Sequence, residues 1–252
     1  METVKQEKKR YELLDAFRGI LMIEMVIYHY LFDVAVFSTD FSEFFTNPAY
    51  YIFQQSIGWG FIFLSGMCVV FSKKMLKRGL TILGAAVIVS LVTYIFTPDV
   101  AINFGVLCCI GSCMLLMIPV KRISEKWNTW VAFAISFLLF LFCRNINTGH
   151  FGFESLNLFA LPEFLYANYL TAYLGFPPLS FTSGDYYPLF PWFFLYMSGY
   201  FLFKGIYQKE KIKNILSYKI PGLSYLGKYS LLIYLLHQPV CYAVAFAVCK
   251  WM

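Results

Sequence analysis

The chain has 252 residues, of which 60% are hydrophobic, 21% aromatic and 13% charged, and its net charge is +6. A soluble domain is ordinarily about 45–50% apolar and about 25% charged, so a water-soluble globule of this size could not hide this much apolar surface. The composition excludes a soluble enzyme, a disordered tail, a coiled coil and a collagen-like chain. It predicts an integral membrane protein whose apolar exterior is solvated by lipid.

Several apolar segments approach the roughly 20 residues that a membrane-spanning helix needs. The seven segments are Leu13–Val34, Tyr51–Phe71, Gly79–Phe96, Phe104–Val120, Trp127–Cys143, Pro188–Phe203 and Tyr229–Cys249. A further apolar stretch, 157–176, contains Pro162, Glu163 and Asn168, which favours a re-entrant or interfacial segment over an eighth span. We predict an all-α, polytopic transmembrane bundle of about seven helices, or eight if 157–176 crosses, folded as a single domain over residues 1–252.

Lysine and arginine are distributed unevenly between the two predicted sides of the membrane. With a cytoplasmic N-terminus, only Arg144 and Lys250 of the 20 basic residues fall in outer segments, and Arg18 lies within the first span. This asymmetry predicts an N-terminus in the cytoplasm and a C-terminus outside. The basic blocks lack the aromatic-lined groove that a nucleic acid would need. The seven cysteines include no CxxC pair, so we expect neither a zinc site nor a disulfide framework.

The first span is rich in ionisable side chains, each of which costs at least about 2.5–3.5 kcal/mol at a bilayer centre. They are Asp15, Arg18, Glu24, His29 and Asp33. Arg18 and His29 share one helix face, and Asp33 follows His29 by one turn. A carboxylate at this spacing can accept a hydrogen bond from one imidazole nitrogen and leave the other as a base. The pattern predicts a catalytic His29 oriented by Asp33, while a histidine that hydrogen-bonds across helices would give the same pattern.

Two further features lie near the predicted cytoplasmic side. Ser65 and Gly66, in the segment FIFLSG, permit close approach of another helix or of a ligand, and helix packing is the simpler interpretation. A block of four basic residues follows, which we call the basic block. It either orients the chain against anionic lipid or forms a phosphate-binding mouth for an anionic cofactor. Its members are Lys73, Lys74, Lys77 and Arg78.

The segment SGDYYPLFPW precedes the sixth predicted span and contains Asp185, Tyr186 and Trp192. Prolines suit the first turn of a helix and aromatic residues suit the membrane interface. Asp185 is therefore either an N-cap of the following helix or a second carboxylate near the outer end of the first span.

The last span carries His237 and Gln238 before a proline that kinks the helix. A haem between His29 and His237 would require both rings at the same depth. Counted from the inner ends of their spans, the two histidines differ by roughly 12 Å. We therefore expect no haem, and no motif indicates another metal.

Four stretches, in order and covering most of the chain, carry a specific combination of residues. They are RYELLDAFRGILMIEMVIYHYLFDV, FGVLCCIGSCMLL, LGFPPLSFTSGDYYPLFPWFFLYMSGYFL and LGKYSLLIYLLHQPV. Together they resemble the bacterial members of the heparan-alpha-glucosaminide N-acetyltransferase catalytic domain family. The pair Arg18 and His29, the segment FIFLSG and the basic block resemble the wider clan of membrane acyltransferases. The resemblance implies that His29 is catalytic, and that Arg18 and the basic block lie on the acyl-CoA side.

The resemblance implies transfer of an acyl group, most simply acetyl, from cytoplasmic acetyl-CoA or another acyl-CoA to a hydroxyl or amine outside the membrane. A saccharide or lipid-linked sugar is the expected acceptor, and a bacterial cytoplasmic membrane is the expected location. The acceptor-side or supporting residues would be Asp185, Tyr186, Trp192, Ser65, His237 and Gln238.

The chain departs from members of the family at two positions. Close relatives usually have a histidine where this chain has Cys108. The enzyme that names the family has asparagine at the place of His29, so its heparan substrate is not expected here.

Two other classes of function remain open from the residues themselves. A proton-coupled transporter would use Glu24, His29 and Asp33 as a relay. A non-catalytic membrane subunit would need none of them for chemistry. Binding of acyl-CoA separates the acyltransferase from both alternatives.

Overall fold

The computed structural model of the protein describes residues 11–38, 44 and 46–251. The basic residues Lys5, Lys8, Lys9 and Arg10 lie outside this part of the chain. The fold is mostly helical, at 76%, as the sequence predicts. The α-helices are α1 (Glu12–Phe37), α2 (Pro48–Cys68), α3 (Met75–Phe96), α4 (Val106–Ile123), α5 (Thr129–Phe142), α6 (Tyr169–Leu174), α7 (Leu189–Ile206), α8 (Glu210–Leu216), α9 (Pro221–Lys228) and α10 (Ser230–Trp251).

All seven predicted spanning segments form helices. In the described residues, five helices are long and apolar enough to cross a membrane: α1, α2 with the 3-10 turn after it, α3, α4 with the turn after it, and α10. Helix α5 is apolar but has 14 residues, about 21 Å, less than the roughly 30 Å of a hydrocarbon core. Helix α7 has 18 residues and a non-helical residue, Phe190, at its start. The total number of crossings and the side of the N-terminus stay predictions.

The segment between α5 and α6 corrects the expectation of an all-α chain. It contains an antiparallel hairpin of β1 (His150–Phe153) and β2 (Leu156–Ala160). Gly152 has a φ of 149° and lies against the Leu156 backbone, a conformation and proximity that suit a residue without Cβ. The rest of the segment 157–176 contains a 3-10 turn and the six-residue α6. No spanning helix lies there, because strand and turns break the apolar run.

The described chain divides into two compact units. The single domain over residues 1–252 stays a prediction. The first unit extends to Phe61 and resumes at Ile206, so it contains α1, most of α2 and α8–α10. Its apolar core is the cluster of Met22, Met25 and Ile57, against which Ile233 packs.

A close helix crossing between α1 and α9 organises the first unit. A Cβ on Gly19 would overlap the carbonyl oxygen of Leu223, and a Cβ on Gly227 would overlap that of Asp15. The hydroxyl of Ser224 donates to the Glu12 carbonyl at 3.0 Å, which adds a polar contact to the same crossing. Glycine lets two helix backbones approach this closely, so α9 lies directly on the first turns of α1.

The second unit, Ile62–Gly205, contains the end of α2 together with α3–α6, most of α7 and the hairpin. It also depends on glycine contacts. Gly79 of α3 lies against the Gly111 carbonyl of α4, and Gly66 of α2 lies against the Tyr196 carbonyl of α7. The interpretation of the Ser65 and Gly66 pair as a helix-packing site therefore agrees with the structure at Gly66.

We expect Gly227→Ala to destabilise the first unit, because its methyl group would overlap the Asp15 carbonyl oxygen. Overpacking of this kind costs about 1–3 kcal/mol. Thermal unfolding of the purified protein in detergent measures the effect. Gly222→Ala in the same helix is the control, since its added Cβ has no atom within 4 Å. Equal unfolding temperatures for both variants would contradict the tight crossing.

Candidate active site

Two histidines from different helices meet inside the first unit. The ring centroids of His29 on α1 and His237 on α10 are 4.6 Å apart, with the ring planes at 65°. His237 is only 8% exposed, and its Nδ1 lies 2.6 Å from the Tyr234 carbonyl oxygen. A carbonyl only accepts hydrogen bonds, so Nδ1 carries the hydrogen and, in the neutral ring, Nε2 keeps its lone pair. This Nε2 atom is buried and has no hydrogen-bond partner among the described residues.

A carboxylate–amide pair lies beside the two histidines. Asp33 is 2% exposed, and its Oδ1 and Oδ2 accept from Nε2 of Gln238 at 3.1 and 3.4 Å. The spacing along α1 predicts instead that Asp33 accepts from His29. In the described structure the carboxylate is bonded to α10, so it joins two helices. The Oε1 atom of Gln238 is buried and has no hydrogen-bond partner in the described part of the chain.

The contact between the histidines overturns the expected depth offset of roughly 12 Å, which took the inner ends of both spans as level. Helix α9 occupies the first turns of α1, with Gly19 against Leu223. Helix α10 therefore begins beside the middle of α1, where Ile233 packs against the cluster that contains Met22. The offset no longer argues against a haem, but the direct ring contact leaves no gap for a porphyrin between the two rings.

Arg18 lies one and a half turns into α1, at its crossing with α9. Its Nη1 contacts Asp15 Oδ1 at 2.7 Å and the Gly227 carbonyl oxygen at 3.4 Å. Gly227 belongs to the last turn of α9, where a cation interacts favourably with the helix dipole. Arg18 therefore has a structural role at the crossing, and its side chain keeps 25% exposure.

The basic block lies in the second unit, at the N-terminus of α3. Lys74 is the N-cap residue, Lys77 and Arg78 lie in the first turn, and all four members are exposed. Cations at a helix N-terminus meet the positive end of the dipole, which is unfavourable unless an anion is bound there. Ser72, just before the block, is buried, and its hydroxyl has no hydrogen-bond partner among the described residues.

The predicted acceptor-side residues form structural contacts in the second unit. Oδ2 of Asp185 accepts from the Val106 N–H at 3.0 Å. Asp185 is therefore a cap, but of α4 and not of the helix that follows it. Burial raises the pKa of Asp185 to about 6, and the bond from Val106 opposes this rise. The Tyr186 hydroxyl donates to the Ala172 carbonyl at 2.6 Å, and burial raises the pKa of this phenol.

Trp192 is 3% exposed, which places it in the core of the second unit. The guanidinium carbon of Arg144 lies 5.1 Å from the centroid of its ring. Arg144 also pairs with Glu154 in the hairpin turn at 3.3 Å. Trp192 thus supports the hairpin through this arginine.

The structure brings four of the predicted residues together: His29, Asp33, His237 and Gln238. Arg18 lies in the same unit, at the crossing below them. The second unit contains the other predicted residues: the basic block, half-buried Ser65, Asp185, Tyr186 and Trp192.

Sequence patterns did not indicate the Tyr234 carbonyl as a partner of His237, because a side chain that bonds back to its own helix leaves no signature in residue type. A metal site has no support in the described residues, because they contain no group of three His, Cys, Asp or Glu side chains placed to hold a metal ion.

The family model described as Heparan-alpha-glucosaminide N-acetyltransferase, catalytic, matches residues 10–239. The chain belongs to this family. The match contains all four clustered residues and ends directly after Gln238, which confirms the resemblance seen in the sequence. Together with the five apolar helices, membership of the N-acetyltransferase family indicates an integral membrane acetyltransferase. No match was found among curated proteins or solved structures.

We expect Asp185→Asn to become more stable relative to the wild type as pH rises from about 4 to about 6. The folded pKa of Asp185 is about 6 against an ordinary 3.8, so the folded state retains a proton that the unfolded state loses in this range. The wild type therefore loses stability there, while asparagine does not titrate and still offers an oxygen to Val106. Thermal unfolding in detergent across this pH range gives the difference. Asp99→Asn, at an exposed position, is the control, and a pH-independent difference for Asp185→Asn would contradict the expectation.

Proposed function

We propose that the protein transfers an acyl group, most simply acetyl, from cytoplasmic acyl-CoA to a hydroxyl or amine of an extracytoplasmic saccharide or lipid-linked sugar. His29 is the general base in this proposal. The observation that carries it is the cluster of buried His237 and Asp33 with half-buried His29 and Gln238, in a chain of an acetyltransferase family. Ionisable groups are costly inside a bilayer and ordinarily mark a functional site.

The chemistry needs a base at the place where the thioester and the acceptor meet. An imidazole can take the proton of the attacking hydroxyl or amine and return it to the leaving sulfur. A site enclosed by apolar helices excludes water and so favours transfer over hydrolysis of the thioester. Asp33 contributes in this proposal through Gln238, which ties α10 to α1 beside the histidines.

The donor side of the proposal uses cations on the predicted cytoplasmic side. The basic block would bind the phosphates of CoA, as its position at the N-terminus of α3 favours an anion. Arg18 and His29 are eleven residues apart, about 16 Å along a helix, which is comparable to the reach of an extended pantetheine arm. Arg18 would lie beside this arm and keep its contact with Asp15.

The acceptor side is proposed to lie at the outer ends of the helices. Asp185 and Tyr186 would shape this side through their backbone contacts, with the buried Trp192 supporting it from the core through its contact with Arg144. The remaining residues proposed to support the site are Ser65, His237 and Gln238. The proposed location is the bacterial cytoplasmic membrane.

Binding of acetyl-CoA to the purified protein in detergent, measured by calorimetry, tests this function. We expect the wild type and His29→Ala to bind with similar affinity, because His29 acts on the thioester and not on the phosphates. We expect the triple variant Lys74→Ala, Lys77→Ala, Arg78→Ala to lose about tenfold or more in affinity, equivalent to about 1.4 kcal/mol.

The control removes the same number and type of charges from other exposed positions that are predicted to be cytoplasmic. It combines Arg122→Ala, Lys126→Ala and Lys209→Ala. Equal losses in both triple variants would show general electrostatic attraction and contradict a phosphate site at α3. No binding of acetyl-CoA or of longer acyl-CoAs by the wild type would contradict the acyltransferase, in favour of a transporter or a non-catalytic subunit.

A further inference from the structure

The sequence assigns the orientation of His29 to Asp33, but in the structure that carboxylate is bonded to Gln238. A histidine base needs one nitrogen held by a partner, since this fixes which nitrogen carries the hydrogen and which is free to accept a proton. In the described part of the chain, the ring contacts of His29 are with Tyr28 and His237. Tyr28 presents a ring at 5.6 Å, whereas His237 presents a ring with a free lone pair at a shorter distance.

We propose that His237 is the positioning residue of the site, and that its Nε2 accepts a hydrogen bond from a ring N–H of His29. This inference rests on the proposed function, in which His29 is the base. Two observations support it. The bond from Nδ1 of His237 to the Tyr234 carbonyl makes Nε2 the accepting nitrogen. That Nε2 is buried, in a ring whose centroid lies 4.6 Å from that of His29, and it has no hydrogen-bond partner among the described residues, which is an unfavourable state for a polar atom.

The hydrogen bond between Asp33 and Gln238 holds His237 in its position. Gln238 directly follows His237 on α10, and its bond to Asp33 fixes α10 against α1 one turn from His29. The sequence-based pairing of a carboxylate with His29 is thus replaced by an arrangement in two layers. Asp33 holds Gln238, and the adjacent His237 holds His29.

In the resulting transfer step, the proton that the acceptor loses passes through His29 to the leaving CoA sulfur. The oxygen or nitrogen of the acceptor attacks the thioester carbon, so that a bond to the acyl group forms and the carbon–sulfur bond breaks. The acceptor proton moves to the free nitrogen of His29, while the other nitrogen keeps its hydrogen bond to Nε2 of His237. The leaving CoA sulfur then takes this proton from His29, which regenerates the neutral base and releases CoA as the thiol.

Two substitutions of His237 separate positioning from packing. In His237→Gln the side-chain oxygen can take the place of Nε2, so an acceptor for His29 is kept while the bond to Tyr234 is lost. In His237→Asn the amide can take the place of Nδ1, so the bond to Tyr234 is kept while the acceptor for His29 is lost. A positioning role predicts that asparagine is the more harmful substitution, and a packing role predicts the opposite order.

The kinetic experiment measures acetyl transfer from acetyl-CoA with glucosamine and methyl glucoside as acceptor probes. We expect His237→Asn to lower kcat by about 100-fold or more with KM for acetyl-CoA little changed, because the ring of the base is then no longer held in its productive tautomer and orientation. We expect His237→Gln to keep kcat within about tenfold of the wild type. A greater loss in the glutamine variant than in the asparagine variant would overturn the proposal.

A second measurement does not depend on activity. The chain has three histidines, so nitrogen-15 NMR of histidine-labelled protein in detergent resolves each ring, and His150→Gln assists the assignment. We expect His29 to be a single tautomer in the wild type and in His237→Gln, and a mixture of tautomers in His237→Asn. A single tautomer in both variants would overturn the positioning role. If no transfer is detected but the tautomers change as expected, the proposed function fails and the positioning of His29 stands.

Discussion

The close crossing of α1 and α9 is the contact on which the site in the first unit depends. Glycine at positions 19 and 227 removes the two methyl groups that would separate the helix backbones. Helix α9 then occupies the first turns of α1, and α10 begins beside the middle of α1. Without this crossing His237 would lie well below His29. The contact between His29 and His237 is therefore set by a backbone crossing in a different part of the same unit.

The polar side chains near His29 and His237 lie in a low-dielectric interior, which limits the hydrogen-bond partners that they can find. A buried carboxylate, amide or imidazole must find a partner inside the protein, since lipid offers none. Asp33 and Gln238 satisfy each other in part, and His237 donates to the backbone of its own helix. Two buried acceptors of this group have no partner among the described residues, Oε1 of Gln238 and Nε2 of His237, and the second belongs to the ring in contact with His29. The proposed hydrogen bond from His29 would satisfy that second acceptor.

Helix locations were predictable from the sequence because apolar length is a strong signal, and all seven predicted segments are helical. The hairpin at 150–160 was not predictable, since its stability depends on contacts such as that of Arg144 with Glu154. Of the site, His29 and Asp33 were found from helical spacing, but the partner of Asp33 comes from a helix about 200 residues later in the chain. The family was recognisable because four separate stretches matched in order. The predicted offset in depth between His29 and His237 was wrong, because the sequence of one helix does not encode where a neighbouring helix begins.

The paired imidazoles also bear on the choice between acyl transfer and proton transport. Two rings in contact cannot both be charged in a medium of low dielectric, so the neutral pair can take up only one additional proton at a time. Acyl transfer needs no more than this, because the proton taken from the acceptor returns to the leaving sulfur in the same turnover. A transporter must pass its proton onward along the membrane normal, and the next ionisable group on α1, Asp33, is bonded to Gln238. Uptake and return of one proton at the same place is consistent with this arrangement and supports the proposed acyl transfer.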